Sequence, residues 1–111
     1  MPEAGRIYVG VLLVELAAPW ARSLKEKRAA VLPVTERLKA RYPVSVARLS
    51  GANDQQRELI GVSALSNDGV WLEGLLGRVL AFIEAKEVVV LRSQVDIEQW
   101  EFDAPTRPGR L

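Results

Sequence analysis

The order in which two hydrophobic periodicities alternate along the chain constrains its fold more than any other feature. Residues 7–16 are mostly β-branched, aromatic or leucine, which predicts a strand. Apolar residues recur at helical spacing from residue 23 to about 42, and again after Ser66-Asn67-Asp68 to about Lys86. Short strands are predicted at 44–49 and 59–66, and a long one at 88–102. The predicted order is β-α-β-β-α-β.

Right-handed crossovers convert this order into one architecture. It is an α+β, ferredoxin-like sandwich, with a four-stranded antiparallel sheet, both helices on one face and the other face open. We expect a single domain over residues 1–103, because 111 residues suffice for one core without disulfides or metals. Residues 104–111 carry two prolines and no apolar pattern, so we expect a mobile tail. Pro33 falls inside the first helix and should bend it.

The composition argues against several classes of function. The chain has no cysteine and no histidine, which removes thiolate chemistry, the commonest general base and the commonest metal ligand. No apolar run is long enough to span a bilayer, and no segment resembles a signal peptide, so we expect a soluble cytoplasmic protein with no membrane partner. We predict no catalytic residue, cofactor, metal or small-molecule substrate.

An acylphosphatase-like enzyme is the one catalytic alternative, because those enzymes share the topology. Arg22 with Asn53 or Asn67 would bind the phosphate. The loop before the first helix has no glycine to bring backbone N–H groups around an anion, which disfavours this alternative.

Charge is distributed unevenly although the net charge is only +1. Residues 20–42 contain seven Lys or Arg against two Glu, whereas residues 68–103 contain three against eight Asp or Glu. Two solvated helices of opposite sign would explain this, and so would a basic region for an anionic partner.

The start of the first helix concentrates the positive charge. Ser23 and Glu26 have the spacing of a capping box. Lys25, Lys27 and Arg28 then crowd a helix end whose dipole prefers anions. These cations therefore need either a buried partner or an external anion.

The first strand is apolar on both faces. We predict that its odd-numbered residues face the helices, which places Glu15 beside the first helix as an ion-pair partner for Lys27 or Arg28. The open face would then be an apolar surface for a homodimer or another protein, unless the last strand or the tail folds over it. Its predicted interface residues are Tyr8, Leu12, Val14, Leu59, Leu65 and, at the end of the last strand, Trp100.

A stacking surface for RNA bases is a further alternative. Residues Ile7-Tyr8-Val9-Gly10 resemble the first short motif of RNA-recognition domains, which stack bases on aromatic residues of both central strands. The third strand offers no aromatic residue and the second motif is missing, which disfavours it.

Several short segments together resemble the YlxP-like family of small bacterial proteins of unknown function. They are Val11 to Leu16, Pro19, Ser23-Leu24-Lys25-Glu26-Lys27-Arg28, Val44-Ser45-Val46-Ala47, Asp54, Gln56-Arg57 and Ser66-Asn67-Asp68. The resemblance implies a ferredoxin-like fold and, because family genes often lie among those for translation and ribosome-maturation factors, an accessory role near the ribosome. It implies no catalytic residue. Gln55 stands where the family often has an aromatic residue.

The leading hypothesis is a non-enzymatic accessory protein that binds ribosomal RNA or ribosomal particles weakly. Its predicted phosphate contacts are Arg22, Lys25, Lys27, Arg28 and Arg57, with Arg48 as a further candidate. The alternative is a self-associating interaction module that uses the open sheet face.

Overall fold

The computed structural model describes residues 5–102, which form one antiparallel sheet and two helices. The elements in chain order are β1 (Gly5–Ala17), α1 (Leu24–Arg41), β2 (Ser45–Ser50), β3 (Arg57–Ser66), α2 (Gly69–Glu84) and β4 (Val89–Phe102). The strand order is β2-β3-β1-β4. The predicted β-α-β-β-α-β order and α+β ferredoxin-like fold are confirmed. The predicted tail, residues 104–111, lies outside the described residues.

Both helices bury an apolar stripe against the same face of the sheet. The stripe of α1 contains Val31, Val34 and Leu38, and α1 continues through Pro33. The stripe of α2 is Leu72, Leu75, Leu76, Val79 and Ile83. These side chains form one cluster with inward-facing residues of β1 and β3, and burying each large apolar side chain stabilises the fold by about 1.5–3 kcal/mol.

The predicted orientation of β1 is wrong, because its even-numbered residues face the helices. Leu12 and Val14 are fully buried in the core. Tyr8 is half-buried and packs on the start of α2, where a Cβ added at Gly69 would lie 3.0 Å from its ring. These three predicted interface residues therefore do not lie on the open face.

Gly10 shows why only one face of β1 accepts the helices closely. A Cβ added there would lie 2.8 Å from Cδ1 of Leu76, inside van der Waals contact. The glycine lets α2 approach the sheet backbone directly, and it lies on the face of β1 that the helices cover.

The open face carries the odd-numbered residues of β1 and β3. Leu59 and Leu65 lie there as predicted, since each pairs in register with an outward-facing residue of β1, and Trp100 lies there opposite Ile7. Leu65 is 68% exposed. The four-residue pattern Leu59, Gly61, Ser63 and Leu65 provides no aromatic ring, and Tyr8 points to the helices. Within residues 5–102, β1 and β3 therefore lack the arrangement of aromatic residues that RNA-recognition domains use for stacking.

Candidate nucleic-acid interface

The first turn of α1 is capped largely as the sequence predicts. The backbone N–H of Glu26 donates to Oγ of Ser23 over 3.1 Å. The Glu26 carboxylate accepts from the backbone N–H of Arg22 over 2.7 Å, one residue earlier than a capping box requires. One otherwise unpaired donor of the helix start is thus satisfied, and a second contact fixes the backbone just before the cap.

Lys27 is fully buried and is the anchor of this corner. Its Nζ donates to the carbonyl oxygens of Gly51 over 2.7 Å and Ala52 over 3.3 Å. The same nitrogen forms an ion pair with Oε1 of Glu58 at 2.9 Å. Lys27 therefore joins the start of α1 to the loop between β2 and β3, and it is not available to an external phosphate.

The partner predicted for Lys27 or Arg28 was Glu15, and that prediction is wrong. Glu15 lies on the open face and accepts from Nε of Arg92 on β4 over 2.9 Å. Because β1 turns its even-numbered residues inward, Glu15 points away from α1. The carboxylate that compensates Lys27 comes from β3 instead, where Glu58 stands in register with Leu16 on the helix-covered face.

Glu58 is compensated from two sides. Its carboxylate also accepts from Nε of Arg48, and from Nη2 of Arg48 over 2.9 Å. Burial alone would raise the pKa of Glu58, but hydrogen bonds from Arg48 and Lys27 together with their positive charges lower it below its ordinary value. The same contact raises the pKa of Arg48. Within residues 5–102, no buried side-chain polar atom lacks a partner.

The loop between β2 and β3 is held by backbone contacts as well. Asp54 accepts from the backbone N–H groups of Gln56 over 2.8 Å and Arg57 over 2.9 Å, and these hydrogen bonds lower the pKa of Asp54. Gly51 adopts φ +83°, a conformation that costs a glycine little. The Gln56 carbonyl accepts from the backbone N–H of Ala18 over 2.7 Å, which joins this loop to the β1–α1 connection.

Four of the predicted phosphate contacts remain exposed. They are Arg22, Lys25, Arg28 and Arg57. None of them forms an ion pair with another residue of the described range 5–102, in contrast to Lys27 and Arg48. Because Arg57 pairs with Ala17 at the end of β1, its backbone lies next to the connection that leads into α1, and its position in the alternation of β3 is that of the open face. These four side chains are called the basic corner below.

Trp20 is a residue of this corner that the sequence analysis did not select. It lies in the turn between β1 and α1 and is 46% exposed. The turn is fixed by a hydrogen bond from Ala21 N–H to the Ala18 carbonyl over 2.9 Å, and by one from the Gln56 side chain to the Pro19 carbonyl over 3.3 Å. The sequence does carry a signal for an exposed tryptophan here. Trp20 stands directly after Pro19 and just before the helix cap, and a turn in that place is an unusual position for a core tryptophan.

Of the two asparagines considered for an acylphosphatase-like site, Asn53 lies in the loop between β2 and β3 that Lys27 joins to α1, and Asn67 lies far from it. Asn67 follows the end of β3 that pairs beside Tyr8, at the opposite end of the sheet from Arg22. Among residues 5–102, no three acidic, histidine or cysteine side chains gather as metal ligands. In the same range, neither helix is long and apolar enough to cross a membrane.

The chain is an α+β, ferredoxin-like sandwich. In the basic segment at the start of α1, Lys27 is buried, whereas Lys25 and Arg28 are exposed. Residues 9–95 match the family described as "Protein of unknown function (DUF503)", and the chain belongs to that family. It is similar to the "Uncharacterized protein YlxP" of Bacillus subtilis (strain 168), with 38% identity over 65 residues that cover 59% of this chain and 71% of the relative. The predicted membership of a YlxP-like family of unknown function is confirmed.

Proposed function

We propose that this chain is a non-enzymatic RNA-binding accessory protein of the ribosome-maturation or translation machinery, and that the basic corner contacts RNA phosphates. The observation that supports this most directly is the contrast between two sets of cations. The charge of Lys27 is neutralised by Glu58 and hydrogen-bonded to loop carbonyls. The four cations of the basic corner are exposed and form no ion pair within residues 5–102.

The energetics of the helix start favour an external anion. Positive charges near a helix N-terminus oppose its dipole, at a cost of about 0.3–1 kcal/mol each at low ionic strength. A bound phosphate would reverse this effect, because it interacts favourably with both the cations and the helix end. The half-exposed ring of Trp20, two residues before Arg22 in the chain, adds a surface on which an unpaired base can stack. A single-stranded or looped RNA fits this combination better than a duplex does.

The proposal that the RNA is ribosomal rests on the family resemblance. The number of phosphates that the basic corner contacts can be tested by measuring how the association constant depends on salt concentration. Neutralising four phosphates on single-stranded RNA gives a slope of about −2.8 in a plot of log K against log salt. Affinity should then fall by roughly 50-fold between 50 and 200 mM salt. This expectation assumes one phosphate for each exposed cation.

Cosedimentation with ribosomal subunits at low and high salt is the test. We expect association at low salt that is lost at high salt, and fluorescence anisotropy with single-stranded RNA should give the slope. Arg22→Gln and Arg57→Gln should each reduce the slope by about 0.7. Arg37→Gln, an exposed cation later on α1, is the matched control and should leave it unchanged. Absence of association at low salt would contradict the proposal.

The second candidate is a protein-interaction module that forms a homodimer through the open face of the sheet. It is favoured by exposed apolar side chains there, including Leu49, Leu65 and Trp100. Leu65→Asp should abolish self-association of this kind in light scattering, since it places a charge in the centre of an apolar contact. Unchanged self-association in this variant would exclude the open face as the contact surface.

A further inference from the structure

The outer edge of β4 is the longest unpaired backbone edge in the described structure. β4 lies at one end of the strand order and has 14 residues, whereas β2, at the other end, has six. Natural proteins protect long edge strands with lysine, proline or bulges, because unpaired N–H and C=O groups invite another strand. β4 contains no lysine or proline. It has one bulge, at Leu91, where its register against β1 shifts, and the segment from Arg92 to Phe102 pairs with β1 without a further shift.

The side chains of β4 are also incompletely covered. Val95 stands in register with Leu12 on the helix-covered side of the sheet. Leu12 is fully buried, but Val95 is 46% exposed, so the helix layer ends over β4. Five of the twelve large hydrophobic side chains exposed in residues 5–102 belong to this strand. They are Val89, Leu91, Val95, Trp100 and Phe102.

Symmetry restricts how β4 could pair with a second copy of itself. Directly opposed residues of an antiparallel pair lie on the same face of the sheet, so the two-fold axis must pass through a residue position rather than between two. An axis at Asp96 would oppose that carboxylate to itself. An axis at Ile97 would oppose Asp96 to Glu98 of the second copy, which also places like charges together.

An axis at Val95 gives the complementary register. Arg92 then stands opposite Glu98 of the second copy, and the same pair forms again on the other side of the axis. Gln94 stands opposite Asp96, as a hydrogen-bond donor facing a carboxylate. Val95 packs against its own copy, which covers its exposed half. The Arg92 side chain is 80% exposed and donates to Glu15 of β1 over 2.9 Å, so pairing with Glu98 of the second copy requires it to turn from Glu15 toward the free edge. An axis at Gln94 would also pair Arg92 with a carboxylate, that of Asp96, but it would leave Glu98 opposite Val90.

We propose that this chain forms a homodimer in which β4 pairs antiparallel with β4 of a second copy, about a two-fold axis at Val95. The two sheets join into one continuous sheet of eight strands. The occupant of the edge is a second copy because the charge pattern from Arg92 to Glu98 is complementary to itself. This contact leaves the open face uncovered and does not involve the basic corner, so it holds or fails independently of RNA binding.

A charge exchange tests the register. Arg92→Glu and Glu98→Arg should each weaken the dimer, by about tenfold or more in the dissociation constant measured by sedimentation equilibrium, because each places two like-charge pairs across the edge. The double variant should recover most of the affinity. All variants carry Glu15→Gln, which removes the intramolecular partner of Arg92. Arg78→Glu, on the exposed side of α2, is the matched control and should have no effect.

A single cysteine gives a positive test, because the chain has none of its own. Only a residue on the two-fold axis faces its own copy across the edge, at a Cα separation of about 4.5–5.5 Å that a disulfide can bridge. Val95→Cys should therefore form a covalent dimer on mild oxidation, and Leu65→Cys on the open face should remain monomeric on a non-reducing gel.

Three results would overturn the proposal. One is a wild-type chain that remains monomeric at all concentrations in sedimentation. Another is a dimer that dissociates with Leu65→Asp but is indifferent to both charge reversals, which would assign the contact to the open face. The third is a double charge variant that is no tighter than the single variants. If Val95→Cys fails to fold, the charge exchange decides the question alone.

Discussion

Replacing Lys27 with methionine is the sharpest perturbation of this structure, because it removes one buried charge and keeps most of the side-chain volume. The variant loses the ion pair to Glu58 and the hydrogen bonds to the carbonyl oxygens of Gly51 and Ala52. Glu58 keeps its contact with Arg48, so its charge is still partly compensated.

The expected cost follows from that remaining partner. Removing one member of a buried ion pair costs about 3–5 kcal/mol when the other charge is left uncompensated. Since Arg48 stays on Glu58, and since the exposed loop carbonyls of Gly51 and Ala52 can be hydrated, we take the lower end, about 3 kcal/mol. For a domain of this size, 1 kcal/mol shifts Tm by about 4–8 °C, so Lys27→Met should lower Tm by roughly 12–24 °C.

Chemical and thermal denaturation followed by circular dichroism measure this cost. Lys25→Met is the matched control, because Lys25 lies two residues earlier in the same turn and is exposed, and such substitutions usually change stability by less than about 0.5 kcal/mol. A double-mutant cycle with Glu58→Gln should show coupling between the two positions. If Lys27→Met and Lys25→Met unfold at the same denaturant concentration, Lys27 does not hold this corner together and the reasoning is refuted.

Two further predictions concern pH and backbone conformation. The pKa of Glu58 is lowered in the folded state relative to an unfolded value of about 4.3, so its stabilising contribution is present above that value and is lost as pH falls through the folded pKa. Urea titrations below pH 5 should therefore show a smaller loss of stability on acidification for Glu58→Gln than for wild type. Equal losses in the two proteins would contradict this. Gly51→Ala should destabilise by more than about 1 kcal/mol, because φ is +83° and the added Cβ would lie 2.8 Å from the Arg57 carbonyl oxygen, whereas Gly77→Ala in open space on α2 should stabilise by about 0.5–1 kcal/mol. Melting temperatures that shift in the same direction for both glycine variants would show that backbone conformation is not the cause.

The order of elements was predictable because each segment carries a clear period. The stripe of α2 and the inward residues Ile60 and Val62 of β3 lie where the alternation places them. The capping residues Ser23 and Asp68 also mark their helix starts in the sequence. Local chemistry decides these features, so a local pattern reveals them.

The orientation of β1 was not predictable in this way, because both sets of alternating residues are apolar. Two signals favoured the observed face. The odd-numbered set ends in the charged Glu15, whereas the even-numbered set ends in Leu16, and Gly10 in the even-numbered set permits close approach by α2. Hydrophobic periodicity records only which positions are apolar, so it takes account neither of the charge at the strand end nor of the space that Gly10 leaves for α2.

The partner of Lys27 was missed for a related reason. Glu58 meets Lys27 through the pairing of β3 with β1 and the packing of α1 on the same face of the sheet, and spacing along the chain encodes neither. The recoverable signal was a carboxylate in phase with Ile60 and Val62, since a charge in an inward-facing set requires a buried partner. The wrong face of β1 also put Tyr8, Leu12 and Val14 into the predicted interface. The other three predicted interface residues, on β3 and β4, do lie on the open face.

The attachment of Lys27 has a consequence for how this surface meets a ligand. Its ammonium group donates to the carbonyl oxygens of Gly51 and Ala52, which lie 24 and 25 residues further along the chain. If the loop between β2 and β3 moved away, this buried ammonium group would lose both hydrogen bonds. The loop should therefore keep its shape until the whole domain unfolds. Arg57 and the neighbouring turn that carries Trp20 are already ordered in the unbound protein. Association at this surface then loses little chain entropy, and more of the contact energy remains as affinity.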